Sequence, residues 1–122
     1  MKATRIYADA QGVSHFADFE VPLNEGGDIG RLSDPQPGSG VIFRETQPTY
    51  DYDWHQAPQK QWIVLLDGEI LIETGDGEKR TLRGGDVLLV EDLHGHGHKT
   101  RQLNPGVRRS LFIPISTDIL IV

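Results

Sequence analysis

Four of the five histidines fall in two places: His55 stands alone, while His94, His96 and His98 alternate with Gly95 and Gly97. Imidazole is the side chain that exchanges protons near neutral pH and donates nitrogen to divalent metals. On an extended strand the three alternating histidines would share one face and form a chelating comb. The glycines between them favour a loop, which does not hold such a comb in place. His55 is either a pocket ligand or acid/base, or a hydrogen-bonding residue at the end of a loop. Tyr50, Tyr52 and Trp54 precede it. These aromatics suit stacking on a cyclic substrate, and equally the packing of a barrel rim. No nucleophilic triad, phosphate loop or nucleotide fingerprint occurs.

The composition limits what those residues can serve. The chain has 122 residues, 14 Gly, 7 Pro, no Cys and a net charge of −6. One domain fits that length. The charge provides no basic surface for nucleic acid, so that partner is not expected. No apolar run approaches the ~20 residues needed to cross a bilayer, and no secretory signal opens the chain. Without cysteine there is no disulfide, thiolate catalysis or Cys-ligated zinc. The cytosol is the expected compartment.

Helix signals are nearly absent, because Gly or Pro interrupts almost every ten-residue window. Strands are expected at 5–7, 14–21, 41–45, 61–66, 69–73, 78–82, 87–91, 108–115 and 119–122, with residues 24–40 a surface loop. An antiparallel all-β sandwich or barrel follows. Asp67-Gly68 reads as a hairpin turn that sets Leu65 opposite Ile70 and Ile63 opposite Ile72, and a second hairpin sets Arg80 opposite Glu73. One face then carries Gln61, Ile63, Leu65, Ile70 and Ile72, with Gln61 its only polar member. An inward amide needs a partner, because leaving it unsatisfied costs about 1–3 kcal/mol. That partner is a ligand, water or metal in one reading and the backbone in the other. The opposite face, with Trp62, Val64 and Leu71, is too apolar for water. A terminal strand or a second subunit must cover it, and a homodimer is expected. Glu69, Glu73 and Asp76 read as outer charges. The Arg108-Arg109 pair reads as a solvated strand edge, with one guanidinium reaching inward at most.

Residues 54–101, WHQAPQKQWIVLLDGEILIETGDGEKRTLRGGDVLLVEDLHGHGHKTR, resemble a small single-domain bacterial cupin, a double-stranded β-helix. The first cupin motif places two His one residue apart, then a Glu, then a Gly beyond the next strand. With that Gly at Gly68, the motif puts its first His on His55, its second on Ala57 and its Glu on Gln61. The second motif opens at Gly85-Asp86 and ends in a His that matches His98, or else His96, after a short insertion. Glu91-Asp92 and neighbours replace the family's Pro and Gly. The resemblance implies a single domain over 1–122, its core barrel at about 41–122 behind N-terminal strands and a loop at 1–40.

Catalytic cupins usually present three His and one Glu to a metal, whereas this chain keeps two His and substitutes Gln. By that resemblance His55, Gln61 and His98 are the ligands of a divalent transition metal (Zn, Ni, Mn or Fe), with His94 and His96 exposed. Two imidazoles and an amide oxygen suit Zn, Ni or Cu better than Mg or Ca. Asp53 and Glu91 would move protons, and Tyr50, Tyr52 and Trp54 would contact substrate. The function implied is binding of a small polar organic molecule, with metal-assisted chemistry. A non-catalytic sensing or storage protein is the alternative.

Overall fold

Alternation with a period of two becomes two facing sheets in the computed structural model, which describes residues 1–115. Among these residues the strands are β1 (Lys2–Ala8), β2 (Ser14–Glu20), β3 (Asn24–Glu25), β4 (Arg31–Leu32), β5 (Ile42–Thr46), β6 (Asp51–His55), β7 (Gln61–Leu65), β8 (Glu69–Glu73), β9 (Lys79–Arg83), β10 (Val87–Glu91), β11 (His98–Gln102) and β12 (Arg108–Pro114). The described residues contain no α-helix, only a 3-10 turn at Gly27–Ile29. The strand expected at 119–122 lies outside the described residues.

One sheet runs β2-β1-β10-β7-β12-β5 and the other β6-β11-β8-β9. From β5 onward the chain changes sheet at every connection except β8 to β9, and all pairings within β10-β7-β12-β5 and β6-β11-β8-β9 are antiparallel. This winding of two four-stranded sheets is the jelly roll of cupin-like barrels. Leu65, Leu88 and Val90 from one sheet pack against Ile70, Ile72 and Leu82 from the other to make the core between them. Residues 24–40 stay largely exposed, the short β3–β4 pair included.

The structure corrects the first predicted hairpin. β7 and β8 do not pair across Asp67-Gly68, because each strand's backbone groups are taken elsewhere. Leu66 N–H donates to the Arg109 carbonyl and Leu65 N–H to that of Asp86. Glu69 N–H donates to the Asn104 side-chain oxygen, and the Glu69 carbonyl accepts from Leu103 N–H. The turn is a corner between sheets. The predicted inner face survives nonetheless, since Gln61, Leu65, Ile70 and Ile72 are buried and Ile63 packs against them. A side chain's face depends on its parity along its own strand, whatever that strand pairs with. The β8–β9 hairpin forms one residue out of the expected register, with Glu73 opposite Lys79 and Ile72 opposite Arg80.

The argument for an uncovered outer face is also corrected. Trp62 is buried with Ala3, Leu89 and Ile115, and Phe19, Val21, Val87 and Ile113 pack around them. The Phe19 and Trp62 ring centroids are 6.1 Å apart. The N-terminal β1–β2 hairpin extends the sheet so that the chain itself supplies much of this cover. The large side chains left exposed lie elsewhere, including Val41, Ile42 and Phe43 at β5. No helix among the described residues is long and apolar enough to cross a membrane.

Candidate functional site

Between the sheets lies a cavity of about 260 Å³. Its walls include Ile63, Leu65, Ile70, Ile72, Leu88 and Phe112, and its polar lining includes Gln61, His55, His98, Tyr50, Arg44 and Arg108. Tyr52 and Gln56, both exposed, stand at its rim. Among the described residues no Asp or Glu lines it.

A β-bulge brings the two histidines together. β11 pairs with β6 at His98↔His55 and again at Thr100↔Tyr52, so two steps on β11 span three on β6. The extra residue reverses the alternation. Tyr52 and His55 therefore both line the cavity, although strict alternation from Tyr50 and Tyr52 would point Trp54 inward. Trp54 instead lies against His96, with ring centroids 4.3 Å apart, and Lys99 Nζ is 5.2 Å from its ring. The His55 and His98 centroids are 4.5 Å apart, and Tyr52 lies 3.9 Å from His55.

Each imidazole is held through Nδ1. His55 Nδ1 lies 2.8 Å from the Asp53 carbonyl oxygen, and His98 Nδ1 lies 2.5 Å from Asp92 Oδ2. With Nδ1–H donating in both, each Nε2 presents a lone pair. Burial is the main cause that pushes the His55 pKa below its ordinary 6.5; the Asp53 carbonyl opposes it and His98 reinforces it. Asp92 has no exposed surface, and its carbonyl accepts from Ala57 N–H. The 93–97 loop is fixed by Gln56 Nε2 donating to the Gly95 carbonyl and Ser14 Oγ donating to that of Gly97. Gln61 is buried, and its Oε1 has no hydrogen-bond partner.

The other predicted residues are placed apart from this group. Asp53 is exposed and borders an outer groove with Asp51, Glu73 and Lys99. Glu91 forms ion pairs with Arg5 and Lys60. His94 and His96 are exposed. Asp92 was missed by sequence reasoning. It had a faint signal, a carboxylate at the end of β10 just before the histidine-rich loop. Arg108 is 2% exposed while Arg109 turns outward to Asp67, so strand parity splits the pair and one guanidinium does reach inward, although the sequence did not say which. Burial, then the charge of Arg44, pushes the Arg108 pKa down from its ordinary value.

A metal is the cofactor this fold class brings to mind, and the donor set fits one. Two imidazole nitrogens, one ring backed by a carboxylate, and an orphaned amide oxygen suit a divalent transition metal. Among the described residues no group of three His, Cys, Asp or Glu side chains is positioned to hold a metal, so Gln61 would have to supply the third donor.

No family model matches the chain. Over 54 residues, 43% of this chain and 46% of the relative, it is 39% identical to the uncharacterized protein YdbB of Bacillus subtilis. It is 28% identical over 116 residues to the oryzines biosynthesis cluster protein J of Aspergillus oryzae, covering 85% of this chain and 62% of that one. The chain thus spans about half to three-fifths of the length of these curated relatives. Among solved structures, a cupin domain from Bordetella pertussis superposes with a TM-score of 0.48 at 18% identity, covering 70% of this chain and 100% of that one. With its two facing sheets wound as a jelly roll and the cavity between them, the chain has a cupin-like fold.

Proposed function

We propose that this chain binds a small polar organic molecule in the cavity and that His55, His98 and Gln61 face its reactive part. The observation that carries the reading is the unpartnered Gln61 oxygen in a cavity also lined by two adjacent imidazoles. A buried amide oxygen without a partner is costly, and a ligand or metal offsets that cost. His55 Nε2 and His98 Nε2 with Gln61 Oε1 would hold a divalent Zn, Ni, Mn or Fe ion. When bound, such an ion polarises a substrate oxygen as a Lewis acid. Asp92 keeps the His98 lone pair turned away from itself, and burial keeps His55 neutral, so its Nε2 lone pair either joins the metal or, with no metal bound, accepts a proton. Asp53 and Glu91 lie outside the cavity, so without a metal proton transfer falls to His55. Tyr50 and Tyr52 line the path of the substrate, and Trp54 lies outside it.

Elemental analysis and calorimetric titration with Zn or Ni test the metal. His55→Ala and His98→Ala should each remove most of it, and His94→Ala should leave it. Equal losses from His94→Ala, His96→Ala and His98→Ala would point to the histidine comb instead. Binding of an organic ligand without turnover or metal would favour the sensing or storage reading.

The chain is also proposed to form a homodimer, through β5 and not through the Trp62 face. Among the described residues β5 ends its sheet, and Phe43 on it is 82% exposed. An apolar edge strand of this kind invites pairing across a two-fold axis. Light scattering should give twice the chain mass, and Phe43→Lys should return it to one.

A further inference from the structure

A guanidinium buried without a negative partner is costly, and Arg108 is one. It is 2% exposed, and its Nη2 is buried with no hydrogen-bond partner. Its Nε donates to Gln102 Oε1 at 3.2 Å, a neutral acceptor. Among the described residues no carboxylate forms an ion pair with it. Asp67 is already held by the backbone N–H and Nε of Arg109, at 2.6 and 2.7 Å.

A second cation makes the imbalance larger. Arg44 lines the same cavity, its guanidinium 5.0 Å from the Tyr50 ring centroid and 5.2 Å from that of Phe112. Arg108 lies 5.9 Å from the Tyr50 centroid, so two like charges share one aromatic ring. Thr100 Oγ1 donates to Tyr50 Oη at 2.9 Å, which leaves the Tyr50 O–H as a donor. The net charge of the chain is −6, yet among the described residues no acidic side chain lines this cavity.

We propose that Arg108 and Arg44 form an anion subsite that takes the carboxylate of a small organic acid, whose body lies along Tyr50 and Tyr52 toward His55 and His98. The inference rests on the pocket reading above and names its ligand class. A planar guanidinium fork matches a carboxylate. The aliphatic walls suit the uncharged body of such an acid.

The test uses pairs of probes equal in shape and different in charge, hexanoate against hexanamide and benzoate against benzamide, titrated calorimetrically into the full chain. At least one carboxylate should bind about tenfold or more tightly than its amide. Arg108→Gln and, separately, Arg44→Gln should erase that preference while amide binding persists. Arg101→Gln, on the outer face, should leave it intact. If Arg108→Gln does not fold, Arg44→Gln carries the same test. Equal binding of acid and amide would overturn the subsite and leave the pocket reading standing. No binding of any probe would overturn the pocket reading with it. Inorganic phosphate competing as well as the carboxylates would show a bare anion site and overturn the organic-acid assignment.

Discussion

His98 and Arg108 are both buried, and the difference between them is what each has for a partner. Asp92 meets His98, while Arg108 has only an amide. Replacing Arg108 with Met removes an uncompensated charge at the cost of one bond to Gln102. Stability in urea should therefore hold or rise by up to about 2 kcal/mol, and a loss larger than that would make the guanidinium a structural part of the core. Two other histidines titrate in opposite directions. His55 is pushed below 6.5 by burial, whereas His15 is raised above 6.5, first by its bond to Asp9 and further by Asp76. Below 6.5 the unfolded chain takes up the His55 proton before the folded chain does, so this residue costs stability as pH falls through its lowered value. His15 works the other way: its contribution is fully present below 6.5 and is lost as pH rises through its raised value. A proton NMR titration should show the His55 ring titrating below 6.5 and the His15 ring above it. Asp9→Asn should bring the His15 curve down toward 6.5 and leave His55 unmoved.

The β6–β11 junction sets the separation of the two pocket imidazoles, and Gly97 is its tightest point. A Cβ there would come within 2.1 Å of the His55 carbonyl oxygen, and the residue's φ is +78°. Gly97→Ala should cost about 2–4 kcal/mol by denaturant titration and weaken Zn binding by moving β11 away from β6. Gly77, at φ +90° with open space around it, isolates the backbone part: Gly77→Ala should cost only about 1–2 kcal/mol and leave metal binding alone. Equal costs would mean that the close approach is relaxed at no expense. Faces of strands were legible in the sequence because parity is a local property, which is why Gln61 and Ile72 were placed inward correctly. Partners of strands were not, since Asp67-Gly68 looks the same whether it closes a hairpin or turns a corner between sheets. The bulge at 53–55 had no composition signal of its own, so nothing in the sequence set Trp54 apart from Tyr50 and Tyr52. That one guanidinium of the Arg108-Arg109 pair could turn inward was legible, but which one was not, because nothing in their neighbourhood differs from that of a surface strand.

Across the whole molecule the N-terminal hairpin does the covering that a second subunit was expected to do. In a Trp54→Phe background the fluorescence of Trp62 should stay shielded from acrylamide even when Phe43→Lys has made the protein monomeric. Phe19→Ala should expose it and cost about 1–3 kcal/mol, since Phe19 is only partly buried. Quenching that rises with Phe43→Lys alone would return the covering role to the partner. That same hairpin imposes a timetable. β1 lies parallel to β10, with Thr4 beside Leu88 and Tyr7 beside Glu91, so β1 is synthesised well before this sheet neighbour. Its other neighbour, β2, comes at once, but an isolated two-stranded hairpin is marginal in water. During synthesis Ala3 and Ile6 must therefore wait for the β10 side of their packing until β10 has left the ribosome, with β11 and β12 still to follow. Docking of β1 closes one of the longest loops in the fold, and that places it among the slow, late steps of folding.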